Sequence, residues 1–144
     1  MTEISFYFNV PDRTGYACRL LRKARRQGLG LAVAGPRDAL ASLDHDLWSF
    51  EPSEFVPHDW VEHVERVPAP LRQRTVWLTA DAVQAPVHDA LLNFGDTAPT
   101  GFETFSRVFE VVSTDEAERA AARERWKSYA RRGYLIRKYE VGAP

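Results

Sequence analysis

Arg119, Arg123 and Lys127 recur at four-residue intervals near the C-terminus, and Trp126 follows Arg123 by three residues. On a helix this spacing puts the three cations on one face, with the indole at its border. Such a face suits an acidic peptide that ends in an apolar side chain and a free carboxylate. A guanidinium pairs with the carboxylate, and the indole walls an apolar slot. Periodicity leaves a second placement open. At about 100° per residue, Ala122, Trp126 and Tyr129 form an apolar stripe flanked by Arg119 and Arg123. Trp126 is then a core anchor with a solvated cationic rim, or a pocket wall, or both.

Other chemistry is poorly supported. After the first apolar run the chain reads Asn9-Val-Pro-Asp-Arg-Thr-Gly15. A dinucleotide fold needs Gly-x-Gly-x-x-Gly there, so that backbone approaches the pyrophosphate. This turn has one glycine and a proline, and no Gly-Lys-Ser/Thr phosphate loop occurs elsewhere. His58 and His63 flank Asp59 and Glu62, but a zinc site needs three or four convergent ligands at a known spacing, so the cluster reads as a polar loop. His45 and His88 are isolated, Cys18 has no nearby histidine, and no serine sits in a Gly-x-Ser-x-Gly elbow. No catalytic residue, cofactor or metal is expected.

The elements that position the cationic face follow from pattern. Ile4–Val10 reads as a strand and Thr14–Gln27 as a helix. The helix carries Ala17, Leu20, Leu21 and Ala24 on one face and Arg19, Arg22, Lys23, Arg25 and Arg26 on the other, a solvated face or a binding surface. Leu29–Ala34 is short and apolar, as in a strand buried on both sides. Pro36 opens a helix running from Arg37 to about Leu47. Trp48–Pro70 holds four prolines and Trp48, Phe50, Phe55 and Trp60, and reads as loop with one or two short strands. Thr75–Thr79, Ala90–Phe94 and Val108–Val112 read as strands, with a short helix over Gly101–Arg107. The C-terminal helix starts at Ser113 or Thr114, ends at Gly133, and leads to an edge strand over Tyr134–Val141. The alternation implies a three-layer α/β fold with a mostly parallel sheet.

At 144 residues the chain suits a single domain spanning residues 1–144. Its net charge of −1 hides an asymmetry: residues 1–113 carry 11 Lys/Arg against 15 Asp/Glu, and residues 114–144 carry 8 against 5. A local cationic patch on a near-neutral protein fits an acidic protein segment at least as well as a duplex. No run approaches a membrane span, no signal-peptide layout is evident, and one cysteine allows no internal disulfide, so the expected compartment is the cytoplasm.

Several blocks together resemble one family. They are Phe6–Phe8, Leu43–Trp48, Phe55–His58, Leu92–Gly95, Phe109–Val112, and Ala122–Lys127 with Tyr129 and Gly133. In order, they resemble the chi subunit of bacterial DNA polymerase III, an accessory protein of the clamp-loader assembly. The resemblance implies a nucleotide-binding-like (Rossmann-like) fold without the nucleotide site, and a binding protein, not an enzyme. It implies two partners. One is the acidic C-terminal tail of single-stranded DNA-binding protein, received by Arg119, Arg123, Trp126 and Lys127. The other is the psi subunit, which links chi to the clamp loader and would meet Trp48, Phe55 and Pro57. In this picture Arg123 holds the terminal carboxylate, Trp126 walls the apolar slot, and Arg119 and Lys127 attract upstream acids. Where the family's familiar member has tyrosine this chain has Trp126, a larger ring without a hydroxyl. DNA is then touched only through the partner, at the nucleoid-associated replisome, with no membrane or small-molecule substrate involved.

Overall fold

The computed structural model describes residues 2–49 and 55–141. Phe50 and Pro52, expected in irregular chain, lie outside the described residues, as does the C-terminal end of the expected domain.

Among the described residues seven strands form one sheet: β1 (Glu3–Val10), β2 (Leu31–Ala34), β3 (His58–Trp60), β4 (Val76–Thr79), β5 (Ala90–Asn93), β6 (Arg107–Ser113) and β7 (Leu135–Glu140). Their order is β3-β4-β2-β5-β6-β1-β7, and every ladder is parallel. Helices α1 (Arg13–Arg26) and α2 (Arg37–Ser49) cover one face, and α3 (Glu116–Arg131) covers the other.

Strand alternation divides the core between the two faces. Phe109 and Val111 of β6 pack with Cys18 and Leu21 of α1 and Leu43 of α2. Val108 and Val112 pack with Ala122 and Tyr129 of α3 and with Phe6 of β1. The central strands β2, β4 and β5 are buried throughout, because helices or 3-10 turns cover both their faces.

Several expected boundaries move. The β2 strand starts at Leu31, because Gly28 and Leu29 are spent terminating α1: the amides of Gly28 and Leu29 donate to the carbonyls of Arg25 and Ala24. The α2 helix continues through Trp48 to Ser49, since nothing before Pro52 breaks it. The stretch after β3 is two 3-10 helices, Val61–Arg66 and Ala69–Arg74. The short helix expected at Gly101–Arg107 is a 3-10 turn over Phe102–Thr104. On the apolar side of α1, Cys18 is fully buried and Leu20 only partly so.

The two edges differ. The β3 edge is three residues long and lies beside the C-terminal end of α2. The β7 edge is six residues long, largely exposed, and among the described residues paired only to β1. Six inter-strand steps of about 4.8 Å put the edges roughly 29 Å apart.

Candidate docking surfaces

α3 is capped at both ends by local chemistry. Its N-cap is Asp115, one residue beyond the expected Ser113 or Thr114, and its carboxylate accepts from the Glu118 amide at 3.1 Å. Ser113 supports the cap instead, its hydroxyl accepting from the Asp115 amide at 3.1 Å. At the far end Gly133 takes φ +83°, a left-handed conformation that favours glycine. The amides of Gly133 and Tyr134 donate to the carbonyls of Ala130 and Tyr129 and turn the chain into β7.

A buried polar cluster, not foreseen from the sequence, fixes α3 on the sheet. Glu110 points from β6 toward α3 and is fully buried. Arg125 Nε donates to its Oε1 at 3.0 Å, and Tyr129 Oη and Asn93 Nδ2 donate to its Oε2 at 2.7 and 3.0 Å. Arg125 Nη1 also donates to the Asp96 carbonyl at 2.7 Å. Burial pushes the Glu110 carboxyl above the usual range, opposed by the Arg125 charge and the hydrogen bonds of Asn93, Tyr129 and Arg125. The signal available in sequence was a lone glutamate inside the apolar strand Val108–Val112.

The outer side of α3 carries the predicted docking residues. Arg119, Arg123, Trp126 and Lys127 all line one groove of about 330 Å³. Its remaining lining is Phe8, Asn9, Lys138 and Glu140 from strands β1 and β7. Trp126 resolves the two placements left open by periodicity by taking both. It is half-buried, its ring lies 5.0 Å from that of Phe6 in the core, and it still walls the groove. Phe8 lies 6.1 Å from Trp126 and adds a second apolar surface.

The cations differ in commitment. Arg119 lies 3.6 Å from Glu116 and Lys127 lies 3.5 Å from Glu124, both exposed pairs within the helix. Such pairs are weak and exchange readily. Arg123 has no ion-pair partner among the described residues.

The second predicted surface is at the opposite edge. Trp48 is 62% exposed and Phe55 47%, and their rings lie 5.1 Å apart. Both rest on His58, at 5.0 and 6.0 Å. His58 is buried, with Nδ1 donating to the Val56 carbonyl at 2.7 Å. Its Nε2 lies 2.8 Å from Asp44 Oδ1. Pro57 is half-buried, and its carbonyl accepts from the Val76 amide at 2.9 Å, tying this stretch to β4. The result is an exposed aromatic pair on a fixed base.

The remaining histidine and acid chemistry is dispersed. Asp59 bonds His63 at 2.7 Å, and Glu62 bonds Arg37, whose guanidinium stacks on Trp60. No group of three or more potential metal ligands converges among the described residues. A cleft of about 460 Å³ does open at the carboxyl ends of β2 and β5, where α/β sheets commonly take ligands. Its lining includes no Lys or Arg, and its one charged residue is Asp96, a poor match for phosphate. On α1, Arg19, Lys23 and Arg26 are exposed, while Arg25 is tied to the Arg74 carbonyl at 2.8 Å. No helix among the described residues is long and apolar enough to cross a membrane.

Comparison with known proteins agrees across nearly the whole chain. Residues 1–137 match the family model described as DNA polymerase III chi subunit, HolC. A DNA polymerase III subunit chi of Pseudomonas aeruginosa is 33% identical over 147 residues, covering 98% of each chain. The subunit of the same name from Haemophilus influenzae is 29% identical over 127 residues, covering 88% of this chain and 85% of the relative. The parallel α/β architecture and the match over residues 1–137 together place this chain in the DNA polymerase III chi subunit family.

Proposed function

We propose that this chain is a non-catalytic linker between the DNA polymerase III clamp loader and DNA coated with single-stranded DNA-binding protein. The observation that carries the reading is the α3 groove, where three helix cations and Trp126 meet the Phe8 ring of β1. An acidic tail ending in an aromatic residue fits this chemistry. The terminal carboxylate pairs with Arg123, the uncommitted guanidinium. The last side chain lies between Trp126 and Phe8. Arg119 and Lys127 exchange their weak helix partners for upstream acidic residues of the tail. Trp48, Phe55 and Pro57 form the second contact, to the psi subunit, where exposed aromatics serve as anchors. DNA is reached only through the tail-bearing partner, and the work is done in the cytoplasm, at the replisome.

The test is fluorescence anisotropy with an acidic peptide ending in Pro-Phe and a free carboxylate. Arg123→Ala is expected to weaken binding about 10- to 100-fold, the scale of a hydrogen bond to a charged group. C-terminal amidation is expected to remove most of the same difference. Unchanged affinity in Arg123→Ala would place the carboxylate elsewhere. Binding of a nucleotide from a parallel panel, with no peptide binding, would refute the reading. Single-stranded DNA titrated without the partner distinguishes a direct binder, whose affinity would fall steeply with salt.

A further inference from the structure

The groove contains an acid of its own. Among its eight lining residues are four cations, Arg119, Arg123, Lys127 and Lys138, and one anion, Glu140. Glu140 belongs to the last residue pair of the β1–β7 ladder, and the backbone brings it to the groove by a specific route. Residues 138 and 140 pair with Phe6 and Phe8 of β1, whose rings lie against Trp126 of α3. Alternation therefore turns Lys138 and Glu140 toward the cationic helix, while Tyr139 turns to the opposite face and stacks on Tyr7 at 5.0 Å.

Two neighbours hold the Glu140 carboxylate. Lys138 Nζ lies 3.1 Å from Oε1, and Asn9 Nδ2 donates to Oε2 at 2.6 Å. Asn9 is the only non-glycine residue with positive φ among the described residues, at 59°. It sits where the β1–β6 register slips between Tyr7 and Val10. Asparagine tolerates this left-handed conformation better than most residues, and a bulge re-aims the side chain that it carries. Here the bulge delivers the amide to Glu140, across 131 residues of sequence.

We propose that Glu140 is an internal stand-in for a tail carboxylate: it pairs with Lys138 in the groove and is displaced from it when an acidic tail binds. Lys138 is then a fourth docking cation, contributed by the edge strand. Its ammonium already lies over the Phe8 ring at 5.5 Å, beside the apolar slot. The arrangement makes binding an exchange of one carboxylate for another. It lowers affinity for any single acidic residue and favours ligands with several, which replace Glu140 at Lys138 while also engaging α3. After displacement Glu140 keeps its bond to Asn9, so one of its two contacts survives.

The proposal rests on the tail-binding reading, and the experiment separates the two. Peptide affinity is measured by anisotropy at low and high salt for the unaltered protein, Arg123→Ala, Glu140→Gln, Lys138→Ala and the double variant. Glu140→Gln retains an acceptor for Asn9 and removes only the charge. It is expected to tighten binding about three- to tenfold at low salt, with the gain shrinking at high salt. Lys138→Ala is expected to weaken binding, and by a larger factor in the Glu140→Gln background, where the ammonium is uncommitted. A peptide whose upstream acids are replaced by serine should show neither effect. If the unaltered protein fails to bind, the tail-binding reading fails; if Arg123→Ala binds as well as it does, the terminal carboxylate is held elsewhere. If both controls behave while Glu140→Gln leaves affinity unchanged or weaker, or the Lys138→Ala loss is the same in both backgrounds, the stand-in role is overturned.

Discussion

Arg125→Met is the sharpest probe of how α3 is held. The substitution keeps length and apolar bulk but removes two donors, to Glu110 Oε1 at 3.0 Å and to the Asp96 carbonyl at 2.7 Å. Both Glu110 and Arg125 are buried, at 0% and 7% exposure, so solvent does not replace the lost partner. Removing one member of a buried pair costs about 3–5 kcal/mol, mostly from stranding the other charge. Replacing the whole cluster should be far milder. Glu110→Leu with Arg125→Met and Tyr129→Phe leaves no buried charge there, and Asn93 Nδ2 still has the Thr97 carbonyl at 3.0 Å. The triple variant is expected to recover most of the loss. A pH dependence accompanies the single variant. Burial already raises the Glu110 carboxyl, and losing the Arg125 charge raises it further. A carboxyl raised in the folded state binds its proton more tightly there than in the unfolded chain. Its favourable contribution is therefore complete below the unfolded value and lost as pH rises through the folded one. Urea unfolding at about pH 5 and about pH 7 should show Arg125→Met losing more stability at the higher pH than the unaltered protein does. A loss under about 1 kcal/mol at neutral pH, or a triple variant no better than the single, would refute the claim that this pair anchors the helix.

Three further outcomes are expected. Phe55→Ala should leave peptide affinity in the groove unchanged and weaken psi capture in a pull-down. Unfolding would instead show that the half-exposed ring is structural. Cys18 should resist aromatic disulfide reagents in the folded protein, because it is buried and burial pushes its thiol up to about 12; labelling should track urea unfolding. Gly133→Ala should cost about 1–2 kcal/mol by thermal or urea unfolding. A new Cβ there meets open space, so the cost comes from forcing alanine into φ +83°.

The order of strands and helices was legible because each buried strand is a short apolar run closed by glycine, proline or aspartate. Leu31–Ala34 and Ala90–Asn93 are examples. That Arg119, Arg123, Trp126 and Lys127 share one face of α3 was legible because their spacing is local. What sequence could not expose were contacts made by the sheet's ordering. Phe8 and Glu140 face the helix only because β1 lies between β6 and β7. Arg125 lies in sequence among Arg119, Arg123 and Lys127, yet it turns inward to the Glu110 carboxylate on β6. Asp59 and Glu62, adjacent to two histidines in sequence, are drawn to different partners by the fold.

The seven-strand order also has a mechanical meaning. The groove is at the β1–β7 edge and the aromatic pair at the β3 edge, so a pull between the two partners proposed above would run across the strands. Tension in that direction loads inter-strand hydrogen bonds along their own length and peels outer ladders sequentially, beginning with the shortest. The β3–β4 ladder has only three residue pairs, whereas β1–β7 has six. Under force the chain would therefore yield first on the aromatic side, releasing that contact while the groove stays intact.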